Sequence, residues 1–392
     1  MSTAQELDAI GIERLREVGS VKWSVFPGTI GAFVAEMDFG TAPAIKDAMK
    51  AAIDDGLIGY LPRAVSAAMA EACARWQRDR YGWDVPVERI RPVPDVLTAL
   101  RTTIDHFTAP ASKIILPTPA YMPFLTIPAM HEREIIEVPM LLEDGRHVYD
   151  LDGIDRAFAA GGELLILCNP YNPLGRVFER AELEAVAAIV ERHRGRVFSD
   201  EIHAPLVFAP HVHVPYASIS EVTAGHTITA ASASKAWNLP GLKTAQVILS
   251  NAADVETWAR PEVAWAEHGT ANLGVIATTA AFDDSREWLT ETLEYLDGNR
   301  TLLGELLGEH IPGMGYRAPE GTYIAWLDAR SLGIDGSPAD FFREQAGVAL
   351  TDGIACGAAG EGFLRFILAT PRPILEQAVR QMAAALAARS DR

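Results

Sequence analysis

Between residues 90 and 249 short apolar runs alternate with helical periods, and this alternation limits the possible folds more than any other feature of the chain. Residues 96–107 read as a helix, 113–116 as a strand, and 164–167 as a buried strand of Leu and Ile. Residues 180–194 form an amphipathic helical pattern through Leu183, Val186, Ile189 and Val190, and 196–198 read as another strand. Two more apolar runs precede Ser232 and follow Lys243. Strands separated by helices argue for an α/β core around a mostly parallel central sheet. In such sheets ligands gather at the carboxyl ends of the strands. Tyr121, Asn172, Asp200 and residues 232–235 each follow a predicted strand, so they should meet at one edge.

The flanks have a different character. Residues 1–20 read as a polar, partly helical arm, and 22–39 as an irregular, extended apolar segment packed on another part of the protein. Helices are expected over 42–55 and 64–80, with Gly59-Tyr60-Leu61-Pro62 as the turn between them. Beyond 285 come a long helix to about 310, strands near 321–327 and 362–368, and a last helix over 373–388. These suggest a smaller α+β domain. The expected division is a large α/β domain over 50–285, and a small domain built from 1–49 with 286–392.

A formal net charge of −18 argues against nucleic acid and anionic membranes as partners. Cys73, Cys168 and Cys356 lie far apart without a C-x-x-C, which suggests neither a disulfide framework nor a metal site. The first residues lack the basic start and apolar run of a signal peptide, and no apolar stretch reaches membrane-spanning length. A cytoplasmic protein is expected.

The chemistry centres on residues 227–247, where an apolar run ends in Ser232-Ala-Ser234-Lys235 and a Pro240-Gly241 loop leads to Lys243. A lysine just after a strand, between small residues, can be held still and partly desolvated. A Schiff-base lysine needs this, because the amine must lose its proton before it attacks an aldehyde. Ser232 and Lys243 supply a hydroxyl and a cation, the groups that hold a phosphate. In isolation an S-x-S-K tetrapeptide is common and Lys235 would read as a surface lysine. Its partners elsewhere in the chain decide otherwise.

Taken with Val34-Ala-Glu-Met-Asp-Phe39, Gly59-Tyr60, Pro119-Ala-Tyr121, Asn169-Pro-Tyr-Asn-Pro-Leu-Gly175, Ser199-Asp-Glu-Ile-His203, Arg365 and Ala369-Thr-Pro-Arg372, this stretch resembles the fold-type I pyridoxal-phosphate enzymes. Within them it resembles the class I/II aminotransferase group, and most closely the MalY/PatB branch of cystathionine β-lyase type C–S lyases. The resemblance implies that pyridoxal 5'-phosphate is the cofactor and Lys235 the catalytic lysine that carries it and then moves the substrate Cα proton. Asp200 would pair with the pyridine nitrogen so that the ring accepts electrons. Asn172 and His203 would hydrogen-bond the phenolic oxygen, and Tyr121 would stack on the ring. Phosphate would sit among Ser232, Ser234, Lys243 and the helix start at Val96 and Leu97. Tyr60 would reach the phosphate from the partner of a homodimer. Arg365 would grip the substrate α-carboxylate, with Ala35 and Tyr121 also at the substrate.

Several positions depart from the family pattern. Asp95 stands where glycine is usual in the phosphate turn, Tyr171 replaces the histidine of N-P-H-N-P, and Ala32-Phe33 replaces Leu-Trp in a segment expected to line the substrate pocket. The activity that the resemblance to the lyase branch implies is β-elimination from L-cystathionine or another cysteine S-conjugate, giving a thiol (homocysteine from cystathionine), pyruvate and ammonia. Transamination of an L-amino acid uses the same lysine, aspartate and arginine and stays open as the alternative. A regulator built on this fold would carry a DNA-binding segment ahead of it; here a short polar arm precedes Lys22-Trp23, and the charge is acidic.

Overall fold

The computed structural model describes residues 3–390, so Met1 and Ser2 of the expected arm lie outside it. Seven strands form the central sheet: β1 (Ile90–Val93), β2 (Lys113–Thr118), β3 (Ile135–Pro139), β4 (Gly162–Cys168), β5 (Arg196–Asp200), β6 (Thr227–Ala231) and β7 (Ala245–Leu249). Their spatial order is β1-β7-β6-β5-β4-β2-β3. β6, β5, β4, β2 and β3 pair in parallel, while β7 runs antiparallel to both β6 and β1. The expected α/β class and mostly parallel sheet are therefore observed. Leu164 to Leu167 in β4 and every residue of β6 and β7 are buried, as continuous apolar strands covered on both faces should be.

Register positions the site. Cys168 lies level with Asp200, and Asp200 with Ala230, so three adjacent parallel strands finish together and release Asn169, Glu201 and Ser232 into one region. β7 then brings the chain back beside Ser232, whose Oγ donates to the carbonyl of Thr244 at 2.8 Å.

The expected helices over 42–55, 64–80 and 96–107 are α1 (Pro43–Asp54), α2 (Arg63–Tyr81) and α3 (Val96–His106). Next come α4 (Met122–Met130) and α5 (Arg180–His193), and later α6 (Asn272–Asp284), α7 (Arg286–His310) and α8 (Arg372–Ser390). α4 carries no clear helical signal in the sequence, because Pro123 and Pro128 interrupt its pattern. α6 escaped because it is apolar nearly all round, packed against α1 and α2, and shows no stripe.

A second, antiparallel sheet has the order β8 (Gly315–Tyr316), β9 (Ile324–Asp328), β11 (Phe363–Ile367) and β10 (Thr351–Asp352). α7 and α8 pack on one another beside it. Arg365 in β11 sits between Trp326 of β9 and Thr351 of β10.

Residues 22–39 are a strap rather than a plain extended segment. They contain part of a one-turn helix (Val21–Ser24) and a two-residue strand, Ile30–Gly31, paired in parallel with Val348 and Ala349. The amide of Asp38 donates to the carbonyl of Ala369. Lys22 and Asp38 form an ion pair at 2.8 Å whose side chains are 0% and 3% exposed, and Trp23 Nε1 donates to the other Asp38 oxygen at 2.8 Å. Gly31 is obligatory here, since a Cβ would stand 2.0 Å from the carbonyl oxygen of Lys22. The strap is thereby held against the second sheet, with Phe33 to Ala35 facing the strand ends.

Candidate active site

A cavity of about 560 Å³ opens where the carboxyl ends of the parallel strands face the strap and the second sheet. It is lined by Ala35, Val96, Leu97, Tyr121, Asn172, Asp200, His203, Ser232, Ser234, Lys235, Lys243 and Arg365, so the structure brings together all the expected site residues except Tyr60. Tyr60 is 94% exposed and lines a different cleft, with Trp265 and His268. It contributes nothing to the cavity of its own chain.

Lys235 follows β6 by way of Ser232, whose Oγ accepts from the Ser234 amide at 3.0 Å and tightens the turn. The Lys235 Nζ donates to the carbonyl of Ala35 at 2.8 Å, and Tyr323 donates its hydroxyl to the same oxygen at 3.0 Å. Burial, aided by the Arg365 cation and opposed by Glu36 and Asp200, lowers the Lys235 pKa to about 8. That makes it a competent nucleophile and proton carrier near neutrality.

Asp200 ends β5 and accepts from the Ile202 amide at 3.0 Å. Burial pushes its pKa up to about 7 against that hydrogen bond, with the Glu201 charge raising it further. Glu201 next door is engaged with Ser199 Oγ, His213 Nε2 and the Tyr216 amide, which leaves Asp200 as the carboxylate of the pair that lines the cavity. His203 is buried and held neutral: desolvation, with the Lys235 and Arg365 charges, lowers its pKa to about 3.

Arg365 is buried and spans the gap between the two sheets. Nη1 donates to Asn172 Oδ1 at 3.3 Å, and Nη2 donates to the carbonyl of Phe33 at 2.8 Å and to Thr351 Oγ1 at 3.3 Å. Burial lowers its pKa from the ordinary arginine value.

At the opposite end, Asp95 caps α3. Its Oδ1 accepts from the Thr98 amide at 2.7 Å, and its Oδ2 accepts from Lys243 Nζ at 2.9 Å. The unexpected acid is thus the N-cap, bonded to the cation expected to hold phosphate. Val96 and Leu97 occupy the first two helical positions, where amides have no intrahelical acceptor.

The residues fit pyridoxal phosphate on three observations. A buried carboxyl pushed up to about 7 is suited to a cationic ring N–H. Buried His203 Nδ1 and Arg365 Nε lack hydrogen-bond partners. A helix start with Lys243 beside it is suited to an anion.

Sequence reasoning missed Phe26, Met122, Ile202 and Leu350, which give the cavity an apolar wall beside Phe33. Phe26 and Phe33 stack edge to face with centroids 5.1 Å apart. The arm and the 348–352 strand segments carry no local signal that they will meet there. Of the departing pair, Phe33 lines the cavity but Ala32 does not; its amide donates to the carbonyl of Ala349. Tyr171 is fully buried and donates its hydroxyl to the carbonyl of Pro117 at 2.6 Å, which anchors the Asn172 loop from behind. Among the described residues no cluster suited to a metal ion is found, and no helix is long and apolar enough to cross a membrane.

The chain is 38% identical over 379 residues to a cystathionine beta-lyase of Corynebacterium glutamicum, covering 96% of this chain and 99% of that one. It is 31% identical to the cystathionine beta-lyase PatB of Bacillus subtilis, covering 94% and 96%. Among solved structures, a putative PLP-dependent beta-cystathionase of Corynebacterium diphtheriae superposes with a TM-score of 0.90 at 40% identity, covering 96% and 98%. Cystalysin of Treponema denticola, which contains pyridoxal 5'-phosphate, does so with a TM-score of 0.90 at 27% identity, covering 95% and 97%. The family profile described as aminotransferase class I and II matches residues 33–382. With that match spanning nearly the whole chain, the protein belongs to the aminotransferase class I and II family.

Proposed function

We propose that the protein is a pyridoxal-phosphate-dependent carbon–sulfur β-lyase that converts L-cystathionine, or a related cysteine S-conjugate, and water into a thiol, pyruvate and ammonia. The observation that carries this reading is a buried Lys235, its pKa lowered to about 8, lining one cavity with Asp200 and Arg365 in a chain of full-length likeness to cystathionine β-lyases.

The cofactor supplies an electron sink for the pair left at the substrate Cα. Lys235 would hold it covalently through Nζ, Asp200 would sit at its ring nitrogen, Tyr121 against its face, Asn172 and His203 at its phenolic oxygen. Ser232, Ser234, Lys243 and the amides of Val96 and Leu97 would receive its phosphate.

Arg365 binds the substrate carboxylate through its fork and fixes which bond at Cα faces Lys235. Asn172 Oδ1 and the Phe33 carbonyl hold the guanidinium in place for this task. Lys235 Nζ removes the Cα proton, the Cβ–S bond breaks with its electron pair leaving on sulfur, and the thiolate takes up a proton. The released enamine reacts with water to give pyruvate and ammonia. Neutral His203 donates or accepts a hydrogen bond without adding charge, and Phe26, Phe33 and Leu350 keep bulk water from the departing sulfur.

The same reading gives a cytoplasmic homodimer, with Tyr60 completing the partner's phosphate site, and the division into 50–285 and 1–49 with 286–392. The exposure of Tyr60 and Trp265 along one cleft, with exposed Ile58 two residues before Tyr60, supports the dimer.

The test incubates holoenzyme with L-cystathionine, with and without 2-oxoglutarate. Equal amounts of thiol and pyruvate without the keto acid support the lyase. Turnover that requires 2-oxoglutarate and yields glutamate without thiol establishes an aminotransferase instead.

A further inference from the structure

The phosphate end of the cavity is built with an acid in it. Asp95 bonds Lys243, which a cofactor phosphate would also use, and caps the helix whose Val96 and Leu97 amides would receive that phosphate. One oxygen lies on the first turn of α3, bonded to the Thr98 amide at 2.7 Å, and the other lies on Lys243 Nζ at 2.9 Å. Burial would raise the Asp95 pKa, but the bonds from Lys243 and Thr98 outweigh it, and the group is lowered overall and ionised at neutral pH. The positive end of the helix and the single lysine are therefore already partly neutralised. Arg101 Nη2 stands 4.0 Å from Asp95, outside hydrogen-bonding reach, and does not line the cavity. Lys243 holds this position from a left-handed backbone conformation with φ of 50°, at the end of the Pro240–Leu242 turn.

We infer that Asp95 competes with the cofactor's phosphate for Lys243 and for the α3 N-terminus, and so loosens the enzyme's hold on its cofactor. The inference rests on the assignment of pyridoxal phosphate above. Binding requires Lys243 to share its charge between a carboxylate and a phosphate that repel one another. Asp95 is in this sense a positioning residue with an opposing charge, and the fraction of enzyme loaded follows cofactor supply more closely than it would with a neutral cap.

The test measures equilibrium binding to apoenzyme of pyridoxal phosphate and of pyridoxal, which lacks the phosphate, by dialysis at fixed ionic strength. Asp95→Asn keeps a side-chain oxygen for the Thr98 amide and removes the charge, so the helix keeps its cap. The expected result is pyridoxal phosphate bound about tenfold more tightly by Asp95→Asn, with pyridoxal unchanged within about twofold. Asp95→Ser, which also caps, should shift in the same direction. Unchanged or weaker binding of pyridoxal phosphate by both variants, or an equal gain for pyridoxal, overturns the inference while leaving the cofactor assignment standing. Absence of pyridoxal phosphate binding by the wild type overturns the assignment and the inference with it.

Discussion

Lys235 Nζ donates to the carbonyl oxygen of Ala35 at 2.8 Å, joining residues 200 positions apart. One comes from the loop after a central strand, the other from a strap pinned to the second sheet. The lysine thus joins the two facing walls of the cavity.

The burial of Lys235 has a pH consequence. Burial lowers the Lys235 pKa to about 8, so the neutral, nucleophilic fraction grows as pH rises through that value and is nearly complete above it. The rate at which apoenzyme captures pyridoxal phosphate should climb between pH 6 and 9 with a midpoint near 8. Stopped-flow absorbance checks this; a midpoint at the ordinary lysine value would show that the amine is not desolvated.

Asp200→Ala should keep the cofactor attached through Lys235 yet lower kcat by about 10²-fold or more, since it removes the charge proposed to face the ring nitrogen. Cofactor content and kcat are read on the same sample. Cofactor content near wild type together with wild-type kcat would contradict the role.

Replacing Arg365 separates substrate binding from packing. Arg365→Lys keeps a cation but loses the fork, and KM for the amino acid should rise about tenfold or more with a smaller change in kcat. Arg365→Ala leaves the Phe33 carbonyl and Asn172 Oδ1 without this donor, adding a stability loss of about 1–3 kcal/mol visible in denaturant unfolding.

The strap depends on a buried ion pair. Asp38→Ala would strand Lys22, whose side chain is fully buried, and should destabilise the protein by about 3–5 kcal/mol. Lys22→Met in the same chain should recover part of the loss, because no uncompensated charge then remains. Denaturant midpoints of the two variants decide it.

How much of this was legible in the sequence follows from what each signal depends on. The strand-and-helix alternation and the residues directly after strands were readable, because burial on both faces dictates unbroken apolar runs and the site residues end them. Asp200 and Asn172 belong to that class. The cap role of Asp95 is not readable in the sequence: an acid that caps a helix and an acid that pairs with a distant lysine are the same letter, and only the bonds to Thr98 and Lys243 show that it does both. Phe26 and Leu350 were also out of reach, since pairing between Ile30 and Val348, across most of the chain, brings them to the cavity.

The proposed dimer can be tested by complementation. A Lys235→Ala chain and a Tyr60→Ala chain, each of low activity, should regain turnover when unfolded and refolded together, because one site of a mixed dimer holds both wild-type residues. Sedimentation should give twice the chain mass. A monomer with full activity would contradict the arrangement.

The most direct test of the site is to map the attached cofactor. Holoenzyme is reduced with borohydride, digested, and the peptides weighed, with Lys235→Ala treated in parallel. The account predicts the pyridoxyl mass on the peptide containing Lys235 and on no other, and none in the variant. Label on Lys243, or on any other lysine of the wild type, would contradict it.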